Sequence, residues 1–143
     1  MLQDVVSVQL PINERISIKK NHFEPYYLTG DEKRICIVTG IHGDELEGQY
    51  VCYELIRRLS ENGHLLKGIV DVYPSMNPLG MDSIKREMPI FDLDMNMIFP
   101  GSETGAVAEH IAAAIMNDIK GADICIDLHA SNIFLREIPQ VRI

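Results

Sequence analysis

ICIVTGIHGDELEG, residues 35–48, runs through seven apolar or small positions and then sets one imidazole and three carboxylates within the next six. The first half, residues 35–41, is apolar on both faces, the pattern of a strand buried in the middle of a sheet. The second half falls where that strand would turn into a helix. His42 and Glu45 stand three apart, so on one helical turn their side chains face the same way and can grip one ion.

A second strand ends in the same manner. DICIDLHA, residues 123–130, is apolar up to His129. In an open α/β sheet, parallel strands deliver their carboxyl ends to one edge, where ligands bind. If the two strands are parallel neighbours, His42, Glu45 and His129 meet there. Two His and one Glu, with a fourth position open, form the donor set of a catalytic zinc.

Asp127, two residues before His129, shares its strand face and could accept that histidine's other N–H. Asp44 could do the same for His42. Bland readings stand beside these. A lone His-x-x-Glu arises by chance on many helices, His129 could be a satisfied core histidine, and Asp127 could cap a loop. Two histidine-ended strands in one chain, each with a carboxylate beside it, favour the metal.

Around this centre, DVVSVQL and ERISIKK alternate apolar and polar residues and predict a hairpin turning at residues 11–13. QYVCYELIRRLSENG predicts a helix with Val51, Cys52, Leu55, Ile56 and Leu59 on its buried stripe and Gly63 as its stop. GIVDVYPS reads as a strand, and residues 76–101 as a long loop. TGAVAEHIAAAIMNDIKGA predicts a helix capped by Thr104, with Val107, Ile111, Ile115 and Ile119 on one side. NIFLREIPQVRI reads as one more strand. The expectation is a single α/β domain over residues 1–143, a mixed β-sheet flanked by helices. Residues 1–34 would form the hairpin region and 35–131 the metal-site core.

The chain has 143 residues, 46% hydrophobic and 24% charged, an ordinary globular balance. A net charge of -8, with no Lys/Arg cluster, argues against nucleic-acid or anionic-membrane partners. No apolar stretch approaches the ~18 residues of a membrane span, and the N-terminus lacks a basic n-region. Cys36, Cys52 and Cys125 all lie in apolar runs. Three isolated, buried thiols would suit a reducing, cytoplasmic setting. His64 and His110 read as solvated.

HGDE, a long loop ending DMNMIFPG, and DLHAS occur in the order of the succinylglutamate desuccinylase/aspartoacylase family, and the chain resembles that family from residue 35 to residue 131. The resemblance implies a zinc-carboxypeptidase-like mixed sheet, one zinc ion per chain held by His42, Glu45 and His129, and hydrolysis of an amide in a small N-acylated amino acid. It places Arg86 as the carbonyl-polarising, oxyanion-stabilising group and Asn96 as a holder of the substrate carboxylate. Met97 stands where that family has arginine, and a thioether cannot clamp a carboxylate. The family's general base, a glutamate on a later strand, is expected beyond Ile143, with Glu137 a surface residue and the fold incomplete at its C-terminal side. A small-molecule substrate and a possible homo-oligomer complete these expectations. The competing reading is a metal-holding remnant or scaffold without catalysis. A metallophosphoesterase ranks last, because too few histidines are suitably placed for a two-ion site.

Overall fold

The computed structural model describes the backbone of residues 1–143 and every side chain except that of Ile12. Five strands, β1 (Leu2–Gln9), β2 (Arg15–Phe23), β3 (Arg34–Thr39), β4 (Ile69–Tyr73) and β5 (Ile124–Leu128), form one sheet in the order β1-β2-β4-β3-β5. β1 and β2 make the expected hairpin across a 3-10 turn at Pro11–Asn13. β2 pairs antiparallel with β4, whereas β3 runs parallel to both β4 and β5. The sheet is mixed, and β3 lies in its parallel half with a neighbour on each side.

Helices cover both faces, so β3 is apolar from Ile35 to Val38. Cys36 and Val38 join Ile16, Ile18 and Tyr73 in a buried cluster with Ala108, Ile111 and Ile115 of α3 (Val107–Ile119). On the other face, α1 (Glu47–Asn62) comes so close that a Cβ on Gly48 would sit 2.1 Å from Thr39 Oγ1. Burying a Leu- or Ile-sized side chain in such a core contributes roughly 1.5–3 kcal/mol.

Several expectations change. Residues 76–101 hold a short helix, α2 (Pro78–Ser83), and a 3-10 turn at Met95–Met97. Asn77 caps α2, its Oδ1 accepting from Gly80 N at 2.9 Å with Pro78 at the first helical position. Met76, Met88 and Met95 pin this segment to the core. The cap position of α3 is Ala106 rather than Thr104, and Glu109 accepts from Ala106 N at 2.7 Å. Val51 lies outside the buried stripe of α1. Residues 129–143 form no strand and do not pair with the open outer edge of β5. Cys125 is exposed, since among the described residues nothing packs beyond β5, whereas Cys36 and Cys52 are buried.

At the other end of the sheet from the HGDE turn, a charged cluster is buried under α3. Asp71 accepts from Arg34 Nε at 2.8 Å, Arg34 Nη2 at 2.6 Å, Lys20 Nζ at 3.3 Å and His22 Nδ1 at 2.6 Å. Asp118 of α3 takes Lys20 Nζ at 3.0 Å and the Tyr73 hydroxyl. This cluster ties α3 to β2, β3 and β4 through groups that nothing in the sequence pattern links.

Candidate metal centre

The HGDE turn is clamped by the segment leading into α2. Met76 N donates to Thr39 O at 3.1 Å, Asn77 N to Gly40 O at 2.8 Å, and Gly43 N to Lys85 O at 3.0 Å. Asn77, fully buried, also donates from Nδ2 to Ile41 O at 3.2 Å. Gly40 takes φ +71°, a left-handed conformation that only glycine adopts without strain. With the backbone held this way, His42 and Glu45 project into the carboxyl edge of the sheet and both are buried.

β5, parallel to β3, brings His129 to the same place. Thr39 Oγ1 donates to Leu128 O at 3.0 Å, tying the two strand ends together. Glu45 then bridges the histidines. Its Oε1 lies 2.7 Å from His42 Nδ1, and its Oε2 lies 3.1 Å from His129 Nδ1 and accepts from Ala130 N at 2.8 Å. The imidazole centroids are 5.0 Å apart.

One donor atom from each residue lies within 4.8 Å of the others. Tetrahedral zinc with bonds of about 2.0–2.2 Å spaces its ligands about 3.4 Å apart. The observed N–O separations of 2.7 and 3.1 Å need only a small spreading, and two imidazole nitrogens with a carboxylate are zinc's preferred donors. The residues present fit the ion. Both histidines turn Nδ1 inward and leave Nε2 for a carboxylate behind, as metal-binding histidines do.

For His129 that carboxylate is Asp127, Oδ2 to Nε2 at 2.9 Å. The hydrogen bond to Asp127 raises the imidazole pKa against the pull of burial, aided by the charges of Asp127 and Glu45. A proton therefore competes more strongly with an ion for the ring, and metal affinity should fall as pH falls.

For His42 the partner is Asp94, Oδ1 to Nε2 at 3.2 Å. Among the described residues Asp44 makes no hydrogen bond to His42, and its Oδ1 is buried without a partner. Asp44 sits on the turn itself, two residues past His42, whereas Asp94 arrives from the distant loop. Burial pushes the Asp94 carboxyl up, but the bond from Asn96 N, the His42 contacts and the Arg86 charge together hold it below the usual range.

Arg86 lies at this carboxylate pair, Nη1 3.4 Å from Glu45 Oε1 and Nη2 3.4 Å from Asp94 Oδ2, with its side chain 51% exposed. Asn96 is exposed on the same 3-10 turn that Asp94 caps, and its backbone N–H rather than its side chain bonds Asp94 at 2.9 Å. Met97 follows it, 83% exposed, while Met95 is buried in the core. Asp94 and Asn77 escaped the sequence reading. The N-P pair at 77–78 was a readable capping signal, but only tertiary contact shows Asp94 reaching His42.

Asp94→Asn should weaken zinc binding about 10–100-fold, the usual cost of losing a ligand's outer partner. Competition with a chromophoric chelator measures this, and an unchanged affinity would remove Asp94 from the site.

The chain is similar to several known proteins. The sequence profile of the Succinylglutamate desuccinylase/Aspartoacylase catalytic domain matches residues 31–142. An N-alpha-acetyl-L-2,4-diaminobutyric acid deacetylase from Halomonas elongata is 31% identical over 111 residues, 77% of this chain and 32% of that protein. The crystal structure of a succinylglutamate desuccinylase/aspartoacylase from Rhodobacter sphaeroides superposes with TM-score 0.78 at 26% identity, covering 92% of this chain and 40% of that one. An aspartoacylase family protein from Mesorhizobium loti gives 0.74 at 27%, covering 91% and 40%.

A metallo-carboxypeptidase from Burkholderia cenocepacia, at 16% identity and TM-score 0.71, covers 92% of this chain and 36% of its own, and shares the fold. The mixed sheet thus has the same fold as that metallo-carboxypeptidase, and the chain spans about a third to two fifths of the length of these relatives. With the profile matched over most of its length, the chain belongs to the succinylglutamate desuccinylase/aspartoacylase catalytic-domain family.

Proposed function

We propose that the protein is a zinc-dependent hydrolase that cleaves the amide bond of a small N-acylated amino acid. The observation that carries this reading is the convergence of His42, Glu45 and His129, from two strand ends and 87 positions of sequence, on one cluster of donor atoms. Bound there, zinc would act as a Lewis acid and make a hydroxide-like nucleophile available near neutral pH.

The chain's own residues do the rest. Glu45 and the two imidazoles fix the donor set, while Asp94 and Asp127 hold the rings in orientation. Arg86, half exposed at the edge of the triad, keeps donors free for a substrate carbonyl as negative charge develops on it. Asn96, exposed beside it, offers an amide to the substrate's carboxylate end. The family resemblance implies a proton-accepting glutamate on a later strand, and because the chain spans 32–40% of its relatives' length we assign that role outside these 143 residues. The Halomonas relative, named as a deacetylase of an N-acetylated diamino acid, supports an N-acyl amino acid as substrate.

The test is release of free amine from a panel of N-acetyl amino acids by the full-length, zinc-loaded protein, with and without chelator. Chelator-sensitive hydrolysis is expected, with Arg86→Ala lowering kcat about 10²–10³-fold. Stoichiometric zinc without hydrolysis of any member would replace this reading with a metal-holding scaffold, the reading that Met97 would then support.

A further inference from the structure

Gln49 Nε2, Ser75 Oγ and Asp44 Oδ1 are buried polar atoms that find no hydrogen-bond partner among the described residues. They stand on the segments that follow β3 and β4, at the sheet edge that holds the triad. Buried polar atoms in native proteins are almost always satisfied, by protein or by ordered water, because burial removes their bulk-water partners. This chain alone closes these atoms off from solvent, so a substrate reaches them only by displacing it.

Two of them gather at Gly40. A Cβ built there would lie 3.2 Å from Ser75 Cα, 3.3 Å from Gln49 Nε2 and 3.4 Å from Pro74 O. Glycine leaves room beside itself, and its φ of +71° disfavours any side chain at this position. The surrounding groups define what fits. An amide N–H repels a cation, a carbonyl oxygen repels an anion, and a hydroxyl both gives and takes. A water molecule accepts from the first and donates to the others. About three such partners is the usual complement of a water in a protein interior.

The position matters for the metal. His42 and Glu45 lie between Gly40 and Gln49, on the connection from β3 to α1. Ser75 directly precedes Met76 and Asn77, whose backbone N–H groups donate to Thr39 O at 3.1 Å and Gly40 O at 2.8 Å. We propose that one buried water beside Gly40 accepts from Gln49 Nε2 and shares hydrogen bonds with Ser75 Oγ and the Pro74 carbonyl. It joins the first turn of α1 to the exit of β4 and so closes the loop that carries two of the three ligands. Gln49 and Ser75 are then positioning residues, acting on the ion through the turn. Their effect on zinc rests on the zinc reading above, whereas the water site does not.

Crystals of the full-length protein that show ordered solvent should hold one water within hydrogen-bond distance of Gln49 Nε2 and Ser75 Oγ. A direct bond between those two side chains, or no water beside them, would overturn the proposal. Chelator competition then reads zinc affinity in Gln49→Leu, Ser75→Ala and the double variant. Each single change should weaken binding about three- to tenfold, the worth of one net hydrogen bond. The double variant should be no weaker than the worse single one, because one bridge serves both residues. Ser75→Thr keeps the hydroxyl and should keep the affinity. Unchanged affinity in both single variants, losses that multiply in the double, or a Ser75→Thr loss equal to that of Ser75→Ala would overturn the positioning role. An unaltered protein that holds the water and binds no zinc would overturn the zinc reading and leave the water site standing.

Discussion

Asp71→Ala is expected to destabilise the protein by about 3–5 kcal/mol in urea unfolding, the cost of stranding buried charges without their partner. Asp71 is 1% exposed and takes the Arg34 fork, the Lys20 ammonium and His22 at once. Without it, Lys20 keeps Asp118 at 3.0 Å, but Arg34 loses its two short carboxylate bonds and retains Tyr73, the Asp118 carbonyl and, at 4.0 Å, the Asp118 carboxylate. A loss under 1 kcal/mol would mean that water or rearrangement satisfies these cations.

The same residue predicts a pH dependence. Burial raises the Asp71 carboxyl, but hydrogen bonds from His22 and Arg34, with the Lys20 and Arg34 charges, outweigh it and hold the pKa below its ordinary value. A depressed folded pKa adds stability above the unfolded value of about 3.9 and loses it as pH falls through the folded one. The Asp71→Ala protein should therefore lose less stability than the unaltered one on acidification below about pH 4.

Gly43→Ala is the second large effect, and it acts on the site. A Cβ there would lie 2.0 Å from Gly80 C, 2.3 Å from Gly80 O and 2.4 Å from Met81 N, all backbone atoms of α2. Backbone cannot swing aside as a side-chain tip does, so α2 or the HGDE turn must move. Overpacking of this kind costs about 3 kcal/mol. Because Gly43 lies between His42 and Glu45, either movement spreads the donor atoms, and zinc affinity should fall together with stability. A variant with unchanged unfolding midpoint and zinc affinity would show that the turn is looser than its contacts imply.

These two residues mark where sequence reading succeeds and stops. The strand at 35–39, apolar on both faces, announced a sheet covered on both sides, and its histidine-ended counterpart at 124–128 announced the edge where they meet. Period and composition suffice for β3, because burial on both faces favours apolar residues, whereas β5 is exposed from Ile124 to Asp127. Asp71, in contrast, interrupts GIVDVYPS as a polar residue on a buried face, and only its four donors from β2 and β3 explain it.

Residues 76–101 were hard to read for a related reason. They are anchored by single methionines and capping bonds rather than by a repeating pattern, so α2 and Asp94 emerge only in three dimensions. Residues 132–143 mislead in the opposite sense. Apolar residues such as Ile133, Phe134 and Leu135 suggest a strand, yet the segment pairs with no edge, although the outer edge of β5 is open.

The most direct measurement is elemental analysis of metal per chain for the unaltered protein beside His42→Ala and His129→Ala. The two positions lie 87 residues apart in sequence, yet each sits within hydrogen-bond reach of Glu45. About one zinc per chain, lost in both variants, is the predicted result. Zinc absent from the unaltered protein, or retained in either variant, would contradict a single ion shared by the two strand ends.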